Sequence, residues 1–289
     1  MVIVLASLPM PGSDAQGRPP VSDGHIIFTV HDGNNDLWTI NPDGTGLARL
    51  TATPAGERSA AWSPDGTKIA FICSRHHQPE LWVMNSDGTG GVRLTRTSAW
   101  EDNPTWSPDG AKIAYDRSHS VWVMDANGNN AHDLLSGGYG NSPTWSPDGS
   151  KIAYVTDGGS GPYNVWTVNA DGTSPQQLTN NTDDTASFWG LDWSPDGATI
   201  VAAFIPSSDF VIYGISVTTG AMTPITTGSA WCWCRYPSWS PDGSRLAFDS
   251  PYGPGLPHPE IFVANADWSG RQRLTFGRPI SSSDPDWGP

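Results

Sequence analysis

The sequence predicts an all-β fold, a six-bladed β-propeller with four-stranded blades. Three observations predict it. The pentapeptide WSPDG occurs five times, at Trp62–Gly66, Trp106–Gly110, Trp145–Gly149, Trp193–Gly197 and Trp239–Gly243, and a degenerate sixth copy, DPDWGP, carries Trp287. The motif tryptophans recur about every 45 residues, a period that fits a propeller blade or a helical repeat. Between the copies lie short β-branched and aromatic runs punctuated by Gly and Asp, which are strands rather than helices.

The elements follow in order within each repeat. Ser-Pro-Asp-Gly suits a type I turn, with Pro second and a left-handed Gly fourth. It joins the innermost strand, which ends in the motif Trp, to a second strand such as Ile69-Ala70-Phe71, Ile113-Ala114-Tyr115 or Leu246-Ala247-Phe248. A polar loop leads to a third strand, such as Leu81–Met84, Val121–Met124 or Ile261–Ala264. An Asp-Gly turn and a segment ending in Leu-Thr or Ile-Thr complete the repeat. The middle runs are continuously apolar, as expected of strands buried on both faces between neighbouring blades. The aspartates of these turns are read as turn formers, not as catalytic groups. The first repeat lacks WSPDG, and the C-terminal SSDPDWGP is an inner strand with nothing after it. The C-terminal strand should therefore complete the N-terminal blade and remove its free edge. The expected organisation is a leader, remnant signal peptide and linker over 1–23, then a propeller over 24–289.

Composition excludes several function classes. The formal net charge is −14, and Lys68, Lys112 and Lys151 are the only lysines. A net acidic field repels phosphate backbones and anionic lipid, so neither nucleic acid nor a membrane surface is expected as partner. No apolar stretch reaches the ~20 residues of a membrane span. The N-terminal MVIVLASLPMPGSDAQG has a short apolar run, then small residues at Ser13 and Ala15, like the tail of a secretory signal without its basic start. Gln16–Asp23 reads as a linker. Three cysteines give no disulfide framework. Cys232 and Cys234 are too close to bridge comfortably along an extended strand, so thiols are expected.

The pattern P-x-WSPDG-x-x-IAF, then LWVM-x-x-DG, then LT resembles the blade repeat of TolB-type propellers, from about residue 24 to 289. The resemblance implies the six-bladed fold and a periplasmic or secreted location. Similar repeats occur in propellers attached to prolyl peptidases and in some polysaccharide lyases. The chain has room for neither the α/β domain of TolB nor a hydrolase domain, which counts against direct transfer of either role.

On such a scaffold the variable loops carry function. The SPDG and DG turns share one face, and the other two loops of each blade share the opposite face. That second face holds His31, His76, His77, His119 and His258, from four blades. Grouped at the channel mouth, they would suit a metal or acid–base site; scattered, they are exposed loop histidines. A divalent cation (Ca, Mn or Zn) is the cofactor such a site would take. HDGNND at His31–Asp36 has the D-x-N-x-D look of a calcium loop but lacks the downstream Glu, and reads as a turn. Asp192, Asp284 and Asp286 on inner strands could line the channel. The same face holds the tryptophans left over from the framework. Trp100 precedes Glu101 and Asp102, Trp189 ends a long loop, and Trp231 and Trp233 precede Arg235 and Tyr236. Aromatic faces beside Asp, Glu and Arg suit a peptide's anchors or sugar rings. Two readings result. One is a binding module for a protein segment or glycan at the channel mouth. The alternative is a metal-assisted polysaccharide lyase or hydrolase, with Arg235 neutralising a carboxylate and Tyr236 acting as acid.

Overall fold

Each WSPDG turn closes on its own side chains. In the first, the Gly66 amide donates to the Ser63 carbonyl at 2.9 Å, and Asp65 Oδ1 accepts from Ser63 Oγ at 2.6 Å and from the Thr67 amide at 3.0 Å. Gly66 has φ +67°, the left-handed region that glycine enters without a Cβ clash. These donors hold the carboxyls of Asp65, Asp109, Asp148 and Asp196 below the usual carboxylate range, the serine hydroxyl being the main cause. The turn aspartates are therefore committed to the backbone.

The computed structural model describes residues 24–75, 78–206, 210–226, 234–250, 258–276 and 281–289. The leader assigned to 1–23 lies outside them. The described residues form six four-stranded antiparallel sheets and no helix. Blade 2 shows the common order, Glu57–Trp62 innermost, then Lys68–Cys73, Glu80–Asn85 and Val92–Arg93. Blade 1 is built as the sequence demands. Ser281–Gly288 pairs with His25–His31, placing Trp287 opposite Ile26, and Asn35–Ile40 and Ala48–Arg49 follow outward.

The core is a ring of six apolar clusters, one at each blade junction. Ile27 and Leu37 of blade 1 pack with Trp62 and Phe71 of blade 2, and Ala70, Ile72 and Leu81 of blade 2 with Ile113 and Tyr115 of blade 3. The pattern continues round to Phe28 and Trp287 of blade 1 against Ala247 and Ile261 of blade 6. Each middle strand thus feeds two clusters, which is why its sequence does not alternate.

The recurrent Thr after Leu or Ile has a function the sequence did not disclose. Thr95 Oγ accepts from the Leu81 amide at 2.9 Å and donates to the buried Glu80 carboxylate at 2.6 Å, which also pairs with Arg93. Thr51, Thr179 and Thr275 accept from the Leu37, Val165 and Ile261 amides in the same way. Asp36, the last residue of HDGNND, precedes Leu37 as Glu80 precedes Leu81 and likewise pairs with an outer-strand arginine. It is fully buried and paired with Arg49 at 2.5 Å, so it fastens the outer strand.

The cysteines correct one expectation. Cys73 is a buried free thiol, but Cys234 is disulfide-bonded. The extended geometry assumed for its surroundings begins only at Arg235, where the inner strand starts. Cys232 lies outside the described residues.

Candidate functional site at the channel mouth

All six inner strands carry a β-bulge at the same place. The residue there is always three before the motif tryptophan, namely Ser59, Asn103, Ser142, Gly190, Tyr236 and Asp284. Each has φ between +45° and +59°. Bulges turn side chains out of the ladder, and here the six residues form a ring around the central channel. Ser, Asn, Gly and Asp are common choices for left-handed backbone, but a bulky aromatic is an outlier. Tyr236 at +49° is that outlier, and it leans on Gly190 of the neighbouring blade. A Cβ on Gly190 would lie 2.7 Å from Tyr236 Cα.

The ring surrounds a neck of about 120 Å³, lined also by Asp192, Asp286 and a proline from four of the blades. Asp192 and Asp286 are struts. Each accepts the amide of the next blade's motif tryptophan, Trp239 and Trp62, at 2.7 Å. Burial in the channel wall pushes Asp192 up to about 7 and Asp286 up to about 6.

On the side of the variable loops the neck opens into a cavity of about 600 Å³. Its walls bring together His31, Asp102, Trp189, Arg235, Tyr236 and Asp284, six of the residues singled out in the sequence, with Arg58 and Tyr163. Trp189 stands edge-on to Tyr236, centroids 6.1 Å apart, and remains 40% exposed. Arg58 pairs with Asp102 across two blades at 2.9 Å and lies over the Trp100 ring at 5.6 Å, which ties the exposed Trp100 to the rim. Arg235 pairs with the fully buried Asp249 at 2.6 Å. His31 hydrogen-bonds through both ring nitrogens, to Asn35 and Ser283, each at 2.8 Å. Burial, with the carboxylates of Asp284 and Asp249 nearby, pushes the Tyr236 phenol far above its usual range.

Other expected residues are placed elsewhere. Glu101 is fully buried, accepts from Thr97 Oγ at 2.7 Å and faces Arg117 at 3.8 Å, so it belongs to the blade and not to the mouth. His119 occupies a tight turn with Ser118, both at positive φ, and is exposed. His258 is exposed beside Pro259, which does line the mouth. His76, His77, Trp231 and Trp233 lie outside the described residues. Among the described residues, no three His, Cys, Asp or Glu side chains group to hold a metal ion, and no helix is long and apolar enough to cross a membrane.

Sequence reasoning missed Arg58 and the left-handed ring as a whole, of which it named only Tyr236 and Asp284. The signal was present: the position three before each motif Trp reads Ser, Asn, Ser, Gly, Tyr, Asp. It is variable inside an otherwise repeating frame, and residue types suited to left-handed backbone dominate it.

Comparison with known proteins matches this architecture. A family model described as TolB beta propeller domain matches residues 19–192. The protein TolB homolog of Chlorobium luteolum is 35% identical over 60 residues, which is 20% of this chain and 14% of that protein. The Tol-Pal system protein TolB of Nitratidesulfovibrio vulgaris is 37% identical over 57 residues, 19% of this chain and 13% of that one. The matched stretches are thus a small part of those curated relatives. In fold, the crystal structure of TolB from Acinetobacter baumannii is similar with a TM-score of 0.76 at 20% identity, over 94% of this chain and 68% of that one.

Proposed function

Because the chain belongs to the TolB beta propeller family, we propose that it is a protein-interaction module acting outside the cytoplasm, and that the channel mouth receives a segment of a partner protein. The observation that carries this reading is the mouth cavity, walled by Trp189, Tyr236, Phe188 and Tyr163 with the Arg58–Asp102 pair at its edge. Aromatic anchors beside arginine in a concave site are the composition of binding hot spots. The name of the Nitratidesulfovibrio relative, a Tol-Pal system protein, suggests a partner in an assembly of that kind.

The enzymatic alternative has less support. Arg235 is already neutralised by Asp249, and a phenol with a strongly raised pKa is a poor proton donor at neutral pH. A metal held by histidines from several blades would also have to displace one of the two hydrogen bonds of His31. No observed feature favours a glycan over a peptide.

The test is photo-crosslinking in the native host. A photoreactive residue at Trp189 should yield a discrete adduct with one protein, identified by mass spectrometry. The same group at Asp87, in an Asp-Gly turn on the opposite face, should not. Equal labelling from both positions, or adducts only from Asp87, would refute the mouth as the binding surface.

A further inference from the structure

The charges around the mouth are unevenly matched. Arg58 is taken by Asp102 and Arg235 by Asp249. Asp284 also faces the cavity, and no basic side chain comes within ion-pair distance of it among the described residues. It lines both the mouth and the neck, whereas Arg58, Asp102, Trp189 and His31 line the mouth alone. The unmatched carboxylate is therefore the deeper group, at the floor of the funnel. Its neighbours in the ring are Tyr236 and Ser59, and His31 is held close by way of Ser283. Burial raises the Asp284 carboxyl above its ordinary value, and repulsion from Asp102 adds to the shift.

Two further features point to the same occupant. Tyr236 is held in a left-handed conformation at φ +49°, and strain of this kind persists where a side chain is being aimed. It places an aromatic ring beside Asp284, and Trp189 extends the aromatic wall upward from it. A carboxylate below an aromatic wall is a site for a cation on a long stem. The net charge of −14 would draw a basic segment toward it.

We propose that Asp284 is the specificity-determining residue of the mouth, and that it receives a lysine or arginine side chain of the partner segment, whose stem lies along Tyr236 and Trp189. This rests on the mouth being a protein-binding site, and it adds the chemistry of the anchor. Lys or Arg is required because the carboxylate lies at neck level, below the rim, where a short polar side chain on a rim-bound backbone would not reach. The pairing would turn the unmatched carboxylate of the mouth into a desolvated ion pair, a contact that sets specificity more than bulk affinity.

The test uses the whole chain and a random-peptide display library. Peptides retained by the wild-type protein and lost on Trp189→Ala are synthesised, and their affinities measured by isothermal titration. They should share a Lys or Arg. Replacing that residue by norleucine or citrulline should weaken binding at least ~10-fold. Asp284→Asn should do the same, since Asn keeps the shape and tolerates the left-handed backbone. The two losses should not add, because each removes the same contact. The citrulline and norleucine peptides probe the charge without altering the protein, so the test survives if Asp284→Asn fails to fold. Mouth-binding peptides that lack a basic residue, or that bind equally well after its neutralisation, overturn the anchor and leave the protein-binding reading standing. A library yielding no peptide that depends on Trp189 overturns both.

Discussion

At the scale of single residues, the site is a compromise between backbone strain and display. Gly190 makes the point most sharply. It is left-handed, at φ +59°, and its missing Cβ leaves the space that the Tyr236 backbone fills. Gly190→Ala should cost about 1–3 kcal/mol in urea unfolding, from the conformation and the contact together, and should distort the neck beside Tyr236. A cost near zero would mean that the two inner strands separate freely and that the ring is not rigid. A second prediction concerns metal. His31 is saturated by Asn35 and Ser283, and Glu101 and Asp36 are used inside their blades. Chelation should therefore leave the thermal midpoint unchanged, and adding Ca²⁺, Mn²⁺ or Zn²⁺ singly should not raise it. A drop on chelation that one ion restores would revive the enzymatic alternative. The sequence made His31, Asp102, Trp189, Arg235 and Tyr236 legible as candidates because loop position alone selects them. It could not show that Glu101 turns into its own blade while the adjacent Asp102 turns toward the channel. That difference is one step of strand alternation, and it depends on a register the inner bulge resets.

At the scale of elements, the blade was legible almost entirely, because each part of it is local. The turn chemistry of SPDG, the apolar middle strands and the Asp-Gly turn all lie within one repeat. The outer strand was the exception. It is only two residues long in most blades, as at Val92–Arg93, and its attachment runs through side chains. Thr95 caps the Leu81 amide and donates to Glu80, which Arg93 neutralises. Thr95→Val keeps the shape but leaves a buried amide and a buried carboxylate each short of a partner. The expected loss is about 1–3 kcal/mol, with the Leu81 amide exchanging hydrogen faster than in the wild type. An exposed substitution such as Thr89→Val, in the turn of the same blade, removes only hydroxyl bonds, one donated to Asp87 and one accepted from Asn85, that water can replace, and should cost less. If the two variants lose equal stability, the buried cap is not what holds the outer strand.

At the scale of the whole molecule, ring closure was predictable because an orphan strand at one end complemented an incomplete blade at the other. The acid–base balance of the channel was not, since it arises only when six inner strands converge and bury their carboxylates. That balance sets how stability should respond to pH. Asp192 has an ordinary value of 3.8 and is pushed up to about 7 by burial, and Asp286 is pushed up to about 6 for the same reason. Between the unfolded and folded values the native state holds a proton that the unfolded chain has released. Raising the pH through this window therefore favours unfolding, and the stability present below about pH 4 from these groups is lost by about pH 8. The turn aspartates act in the opposite sense. Asp65, Asp109, Asp148 and Asp196 are held low by their serine partners, so what they contribute is present above the ordinary carboxylate value and lost as the pH falls through their folded values. Maximum stability should then lie on the mildly acid side, at about pH 4–6, with a decline toward pH 8. Asp192→Asn separates this from general charge repulsion. The amide oxygen can still accept the Trp239 amide, while the titration is gone, so the decline between about pH 5 and 8 should shrink by on the order of 1–3 kcal/mol. Asp184→Asn, at an exposed loop position, changes the net charge equally and should leave the profile as it was. If both variants flatten the profile alike, the decline comes from the −14 net charge and not from the carboxylates buried in the channel wall.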